Sequence, residues 1–550
     1  MKLSFYLVSG LLLLTTFAHA QRLRKADKAV IENLKAHISY LADDKLEGRR
    51  AGTEGEKLAR EYIGRQFQQI GLTPKGDQDT WFQAFEINDG KQVNASTLFL
   101  LNGNDLKLNT DFFPLVYSPD VSFEAAVSMA LKERGVPWFY DIKELLEENK
   151  DNPHYDLEEA IKTKARKAAE KGANALVIYN SSPINDGLKF NGKDRSEVLP
   201  IPVIYFTKKA QQQYLHDESA TLDLRIKTDI GEKTRTGHNV VGYLNNNAAT
   251  TIIIGAHYDH LGYGEDGNSM LRTGEKLIHN GADDNASGTA AVIELARLLK
   301  DSKNKNSNYL FIAFSGEELG LNGSKYFTDH ATINMDNVNY MMNLDMVGRL
   351  DETGKTVTVG GYGTSPVWGE IFESFRRNKY LNFKYDSSGT GPSDHTSFYR
   401  KDIPVLFFFT GLHSDYHKPT DDYDKINYVG ELLIINYIED IINASGKRDK
   451  LAFTKTREAQ TTTSTRFSVT LGIMPDYTYS GAGIRVDGVS DDRPAKKAGI
   501  QTGDVILQLG AHTTSSMESY MQALSKFKKG DKTTVKYKRG DNTLESDIQF

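Results

Sequence analysis

The chain has 550 residues, enough for three or four domains and a large core; 25% are charged and 39% apolar, an ordinary globular balance. A formal net charge of −6 excludes the basic character that nucleic acid or an anionic membrane surface would call for. Cysteine is absent, which excludes disulfides and thiolate ligands, so any metal must be held by His, Asp and Glu.

In chain order, residues 1–20, MKLSFYLVSGLLLLTTFAHA, combine one early Lys, a short apolar middle and an Ala-His-Ala end. That is the pattern of a cleavable secretory signal, with an apolar run too short to span a bilayer. The mature chain is expected to begin near Gln21 and to be exported, periplasmic or extracellular and soluble, because no other segment approaches transmembrane length. Residues 26–72 predict two helices separated by the loop LEGRRAGTEG; the second carries Ala59, Tyr62, Ile63, Phe67 and Ile70 at helical spacing and stops at Gly71. From about 110 to 235 the texture changes to short strands, VPWFYDI, NALVIYN and IPVIYF, around one helix. That helix has Leu157, Ile161, Ala165, Ala168 and Ala169 on one face and Gly172 at its end.

From 237 to about 445 the apolar runs TIIIGAHY, NYLFIAF, VNYMMNLDMVG and IPVLFFF alternate with helices. Continuous apolar strands between helices predict an α/β fold: a mostly parallel sheet buried on both faces, with ligands beyond the carboxyl ends of its strands. A Thr- and Lys-rich linker follows, and 467–550 reads as short strands, a Gly-rich turn and a helix around SMESYMQALSKF.

The strand ends carry the chemistry. After TIIIGA come His257, Asp259 and His260; Asp283 and Asp284 open the next helix; Glu317 and Glu318 follow LFIAF; Asp345 follows YMMNL; His413, Tyr416 and His417 follow IPVLFFFTG. Singly, each has an ordinary reading as a structural histidine, a helix N-cap or a solvated helix start. Together, five successive elements present His or carboxylate at one sheet edge. Such a donor set suits Zn²⁺ first, with Mn²⁺ or Co²⁺ as substitutes. Two divalent ions would be balanced by three ligating carboxylates and a bridging hydroxide, leaving one carboxylate free to move protons. Two ions about 3.5–4 Å apart clamp a nucleophile and a substrate oxygen together, which is the arrangement of metal-assisted hydrolysis.

The motifs GAHYDH, NGADDNASG, SGEELG, NLDMVG and DYHKPTD, in this order, resemble the secreted dizinc aminopeptidases, the family of aminopeptidase Y and the bacterial leucyl aminopeptidases. The resemblance covers roughly 26–110 and 237–445, with LEGRRAGTEG similar to the family's N-terminal signature. It implies a three-layer α/β/α zinc-exopeptidase fold, His257 and Asp345 on one zinc, Glu318 and His417 on the other, and Asp284 bridging both. It further implies Glu317 as general base, Asp259 as the carboxylate orienting His257 through its other ring nitrogen, and Tyr416 as a group polarising the scissile carbonyl. Asp421 is expected to support His417, His413 is the rival for the last ligand, and His395 of SDHTSF has no assigned role. The implied activity is removal of N-terminal residues from peptides with a free N-terminus, by metal-bridged hydroxide with Glu317 carrying the proton.

The segment 111–236 resembles a protease-associated insert, and 467–550 resembles a PDZ domain, with SVTLGIMPD as its carboxylate-binding strand and loop around Leu471, Gly472 and Ile473. The expected division is signal 1–20, catalytic domain 21–110 and 237–450, insert 111–236, linker 451–466 and PDZ-like domain 467–550. The insert would either roof the cleft or dock; the PDZ-like domain would either add a peptide C-terminus as a strand or pack on its own catalytic domain. Three alternatives remain beside the aminopeptidase: a glutaminyl-cyclase-like acyltransferase with one zinc, a carboxypeptidase-type relative, and a non-catalytic receptor-like peptide-binding protein.

Overall fold

The computed structural model describes residues 23–550 apart from 153–154, 195, 218–219, 272, 274, 375–379, 457–468, 477–478, 480, 490–492 and 516. The expected signal, 1–20, and most of the expected linker lie outside the described residues. Among the described residues, no helix is long and apolar enough to cross a membrane.

The centre of the molecule is a nine-stranded sheet. Its four middle strands, in the order Asn308–Phe314, Thr251–His257, Val338–Leu344 and Val405–Phe409, are mutually parallel. The flanking strands Ile230–Leu244 and Thr356–Gly360 join this core antiparallel. The sheet is therefore parallel where it is most buried and mixed at its margins. Consecutive residues of the middle strands face opposite cores. Ile252, Ile254, Phe311 and Met342 pack with the helices Lys25–Leu41, Glu54–Ile70, Gly288–Asp301 and Tyr428–Ser445. Ile253, Leu310, Ile312 and Met341 pack with Phe327 and Phe398 of the short helices Asn322–Asp329 and His395–Tyr399. Burial of both faces explains why these segments read as unbroken apolar runs rather than as alternating ones; each fully buried Ile or Leu contributes roughly 1.5–3 kcal/mol.

The chain leaves the strand Thr251–His257 to pair first on one side, with Asn308–Phe314, and then on the other, with Val338–Leu344. This reversal opens a crevice beyond the carboxyl ends at that point. Register keeps the ends level: His257 pairs with Phe314, and Gly255 with Asn343, two residues before Asp345.

Two four-stranded sheets lie between 98 and 228. One orders Asn104–Asp105, Leu98–Leu101, Thr221–Thr228 and Val121–Ser128; the other orders Phe112–Pro114, Val203–Phe206, Ala175–Tyr179 and Pro137–Asp141. The helix Leu157–Glu170 covers the second with Ile161, Ala165 and Ala168. Past residue 468 a separate core, including Leu471, Ile484, Ile506, Leu524 and Val535, fills a six-stranded sheet with the helices Pro494–Lys497 and Met517–Ser525. The strand Ile473–Pro475 lies at the end of that sheet, preceded by Gly472 at φ +82°. Residues 451–456 pack on the large domain: Leu451 is buried and donates its N–H to Asn339, and Thr456 donates its N–H to the Tyr399 hydroxyl.

Candidate metal centre

The strand ends and turns gather His257, Asp284, Glu317, Glu318, Asp345, Tyr416 and His417 into one cluster. His257 and Asp284 are buried on its floor, while the other five are half-buried around an opening. Two local features make the approach possible. The helix starting at Gly288 lies against the strand carrying Asp345 so closely that a Cβ at Gly288 would meet the Leu344 carbonyl oxygen at 2.4 Å. Gly316, at φ +68°, turns the chain between Phe314 and the two glutamates. Asn285 fastens the two segments, donating to the Leu344 carbonyl at 2.9 Å and accepting from the N–H groups of Gly288 and Met346 at 2.9 and 3.1 Å.

The donor atoms form two groups that share Asp284. His257 Nε2 lies 3.4 Å from Asp284 Oδ1 and 3.4 Å from Asp345 Oδ1; His417 Nε2 lies 3.4 Å from Asp284 Oδ2 and 3.3 Å from Glu318 Oε2. Tetrahedral Zn²⁺ with bonds of about 2.0–2.1 Å has ligand-to-ligand edges of about 3.3–3.4 Å. The donor set and its spacing fit divalent-ion binding, with Asp284 common to both groups.

The charge balance points the same way. Burial disfavours a charged His417 imidazole, yet Glu318 and Asp284 raise it to about 11. Burial pushes the Glu318 carboxyl up, but His417 and His260 hold it at about 2. Asp284 likewise stays well below the ordinary carboxylate range despite its burial, because His257 and His417 face it. The carboxylates and imidazoles of the cluster thus hold one another charged. Glu317 differs: burial, reinforced by Asp345, Glu318 and Asp394, drives its carboxyl well above the ordinary value, although His257 opposes this. Its N–H donates to Asp259 Oδ1 at 3.2 Å.

Several neighbours take positions that the sequence reading did not foresee. The Asp259 carboxylate is 3.7 Å from His257 Nδ1, beyond hydrogen-bond reach; that nitrogen meets the Asp259 carbonyl at 3.2 Å instead. His413 Nε2 is 3.2 Å from Asp283 Oδ2, behind the cluster, which removes it from competition with His417. Asp421 accepts the N–H groups of Asp283 and Asp284 at 2.9 and 3.0 Å, so it braces the shared carboxylate's backbone rather than His417. Ser393 donates to Asp345 Oδ2 at 2.7 Å and accepts from Asn343 at 2.7 Å. His395, two residues on, is buried and stacked on Phe407 at 4.5 Å.

Arg49, from the LEGRR loop, is fully buried and donates to the carbonyls of Tyr258, Leu41, Asn280 and Gly281 at 2.5–2.9 Å. Burial lowers its guanidinium to about 10, against the pull of Asp259, Asp284, Asp421 and Glu318, so it still stands as a permanent cation behind the acids. His417 sits at φ +54°, a region costing about 1–2 kcal/mol for a residue with a Cβ. It is held there by Met270 N–H donating to its carbonyl at 2.8 Å and by its own Nδ1 on the Asn268 carbonyl at 2.9 Å. The Tyr416 ring stacks on His417 at 3.9 Å.

Residues 239–442 match the family model described as Peptidase family M28, and residues 459–550 match a PDZ domain. The chain carries an M28 peptidase domain followed by a PDZ domain. The match spans the four middle strands of the sheet and every member of the cluster. The chain is 26% identical over 459 residues to Aminopeptidase YwaD of Bacillus subtilis, covering 76% of this chain and 88% of that one. It is 27% identical over 262 residues to an aminopeptidase of Pseudomonas aeruginosa, covering 45% of each. A solved zinc aminopeptidase from Bacillus subtilis superposes with a TM-score of 0.43 at 20% identity, over 77% of this chain and 95% of that one.

Proposed function

We propose that this M28 peptidase is an exported dizinc aminopeptidase that removes N-terminal residues from peptides. The observation carrying the proposal is the pair of donor groups sharing Asp284, with edges of 3.3–3.4 Å. His257 and Asp345 would hold one ion, Glu318 and His417 the other, and Asp284 both. Zinc bound there would supply Lewis acidity, acidifying water and polarising a carbonyl oxygen. Glu317 takes the proton from the attacking water and delivers it to the leaving amine; burial raises its carboxyl above the ordinary value, in the direction that favours holding a proton. The Asp259 carboxylate accepts the Glu317 N–H, and the Asp259 carbonyl meets His257 Nδ1. Tyr416, stacked on His417 at the opening, is placed to donate to the substrate carbonyl oxygen.

The matched relatives named as aminopeptidases support action at the N-terminus. Residues 1–20 support export, and the PDZ domain supports capture of peptide C-termini around Leu471, Gly472 and Ile473. The deciding experiment pairs metal analysis with matched free and N-acetylated peptides. Two zinc ions per chain and loss of cleavage on acetylation are expected; equal cleavage of both peptides would overturn the aminopeptidase reading, and one ion or none would overturn the dizinc one.

A further inference from the structure

The loop 261–270 runs from the His257 strand towards the Asp283–Asp284 turn. Asp266, near its middle, has a largely covered carboxylate, 8% exposed, that receives Arg50 Nε at 2.7 Å and Nη2 at 2.9 Å, with Lys193 Nζ at 2.7 Å and Arg235 Nη2 at 3.3 Å. Lys193 lies on the stretch between the insert strands Ala175–Tyr179 and Val203–Phe206, and also donates to the Glu265 carbonyl at 3.1 Å. Arg50 comes from the LEGRR loop, and Arg235 from the strand that leaves the insert. Burial would raise the Asp266 carboxyl, but the three cations hold it well below the ordinary range, as charge-assisted bonds in a screened-off place do.

Asn268 follows two residues later. Its carbonyl accepts His417 Nδ1–H at 2.9 Å, and its side-chain amide donates to the Glu318 carbonyl at 3.1 Å and approaches Glu318 Oε2 at 3.5 Å. One residue thus touches both residues that belong to only one of the two donor groups, the His417 ring directly and Glu318 chiefly at its backbone, while His260 Nδ1 holds Glu318 Oε1 at 2.8 Å. The partners of the other group lie elsewhere, at Ser393 and the Asp259 carbonyl. Between Asp266 and Asn268 stands Gly267 alone, at φ +85°, and two residues span at most about 7 Å. The reach is too short to absorb a shift of Asp266.

We propose that the insert sets the geometry of the Glu318/His417 half of the centre: Lys193, with Arg50 and Arg235, fixes Asp266, and Asn268 passes that position to the two residues. Asp266 and Asn268 are positioning residues. The inference rests on the dizinc reading and assigns the insert an effect on one ion rather than on both.

The test is a Zn²⁺ titration of the metal-free full chain against a competing chelator, for wild type, Asp266→Asn, Lys193→Met and Lys193→Arg. Asp266→Asn is expected to leave the first ion unchanged and weaken the second by roughly tenfold or more, in the range found for groups that orient metal ligands. Lys193→Met, at a half-exposed position, is expected to weaken the second ion alone at an unchanged melting temperature, with Lys193→Arg restoring it. Should Asp266→Asn fail to fold, the Lys193 pair decides on the same readout. Variants that fill both sites with wild-type affinity, or lose both ions in parallel, overturn the proposal. A wild-type chain that takes only one ion overturns the dizinc reading instead.

Discussion

His260 Nδ1 donates to Glu318 Oε1 at 2.8 Å, which turns the other oxygen, Oε2, towards His417 Nε2 at 3.3 Å. The neighbour of the Asp259 turn therefore decides which oxygen of Glu318 faces the cluster. His260 is buried, and its ring meets that of His417 edge-on at 5.9 Å. Replacing it by Ala frees a buried carboxylate oxygen and lets Glu318 rotate. His260→Ala is expected to weaken one zinc by about 10–100-fold while the fold persists, read by competitive metal titration. Unchanged affinity for both ions would show that Glu318 needs no such partner.

The two adjacent glutamates should separate cleanly. Glu317→Gln is expected to keep both ions, as measured by metal analysis, and to lose about 10²–10⁴-fold in kcat. Glu318→Gln is expected to lose an ion first, with activity partly recovered at high zinc. Reversal of these outcomes would reverse the roles.

Ser393→Ala removes the hydroxyl that holds Asp345 Oδ2 at 2.7 Å. The loss should fall on the ion shared with His257, at about tenfold in affinity, and leave the His417 ion alone. Metal titration beside that of His260→Ala would show opposite halves of the centre affected.

His395 sets a pH dependence. Burial pushes its imidazole down to about 3 from an ordinary 6.5. Below pH 6.5 the unfolded chain takes up a proton that the folded chain refuses. The contribution is complete above 6.5 and is lost as the pH falls towards 3, at about 1.4 kcal/mol per pH unit. His395→Gln should flatten the stability profile between pH 6 and 4 by that slope, seen in denaturant midpoints. Parallel profiles would mean that His395 is charged in the fold.

How legible the molecule is from its sequence depends on the range of each interaction. The buried strands could be read because an apolar run such as TIIIGA or LFIAF has few other destinies, and their carboxyl ends then located the cluster. The atoms that brace the cluster could not. Arg49 reaches carbonyls 209 to 232 residues ahead, Asp421 reaches back 137 and 138 residues to two backbone amides, and Ser393 meets Asp345 across 48. Backbone acceptors leave no side-chain signature, so nothing in the spacing marks Arg49 as different from Arg50. For His413 and His417 the sequence context favoured His417, while the contact of His413 with Asp283 at 3.2 Å leaves no trace in the spacing.

The burial of Arg49 against Leu41, Tyr258, Asn280 and Gly281 has a consequence for dissection of the protein. The segment 237–450 contains every donor atom of the cluster, yet a fragment limited to it would face three unsatisfied carbonyls, of Tyr258, Asn280 and Gly281, and a patch of acid without the guanidinium that had stood behind it. Trimming the first fifty residues would disturb the centre from behind, although none of the residues removed holds a donor atom of the cluster.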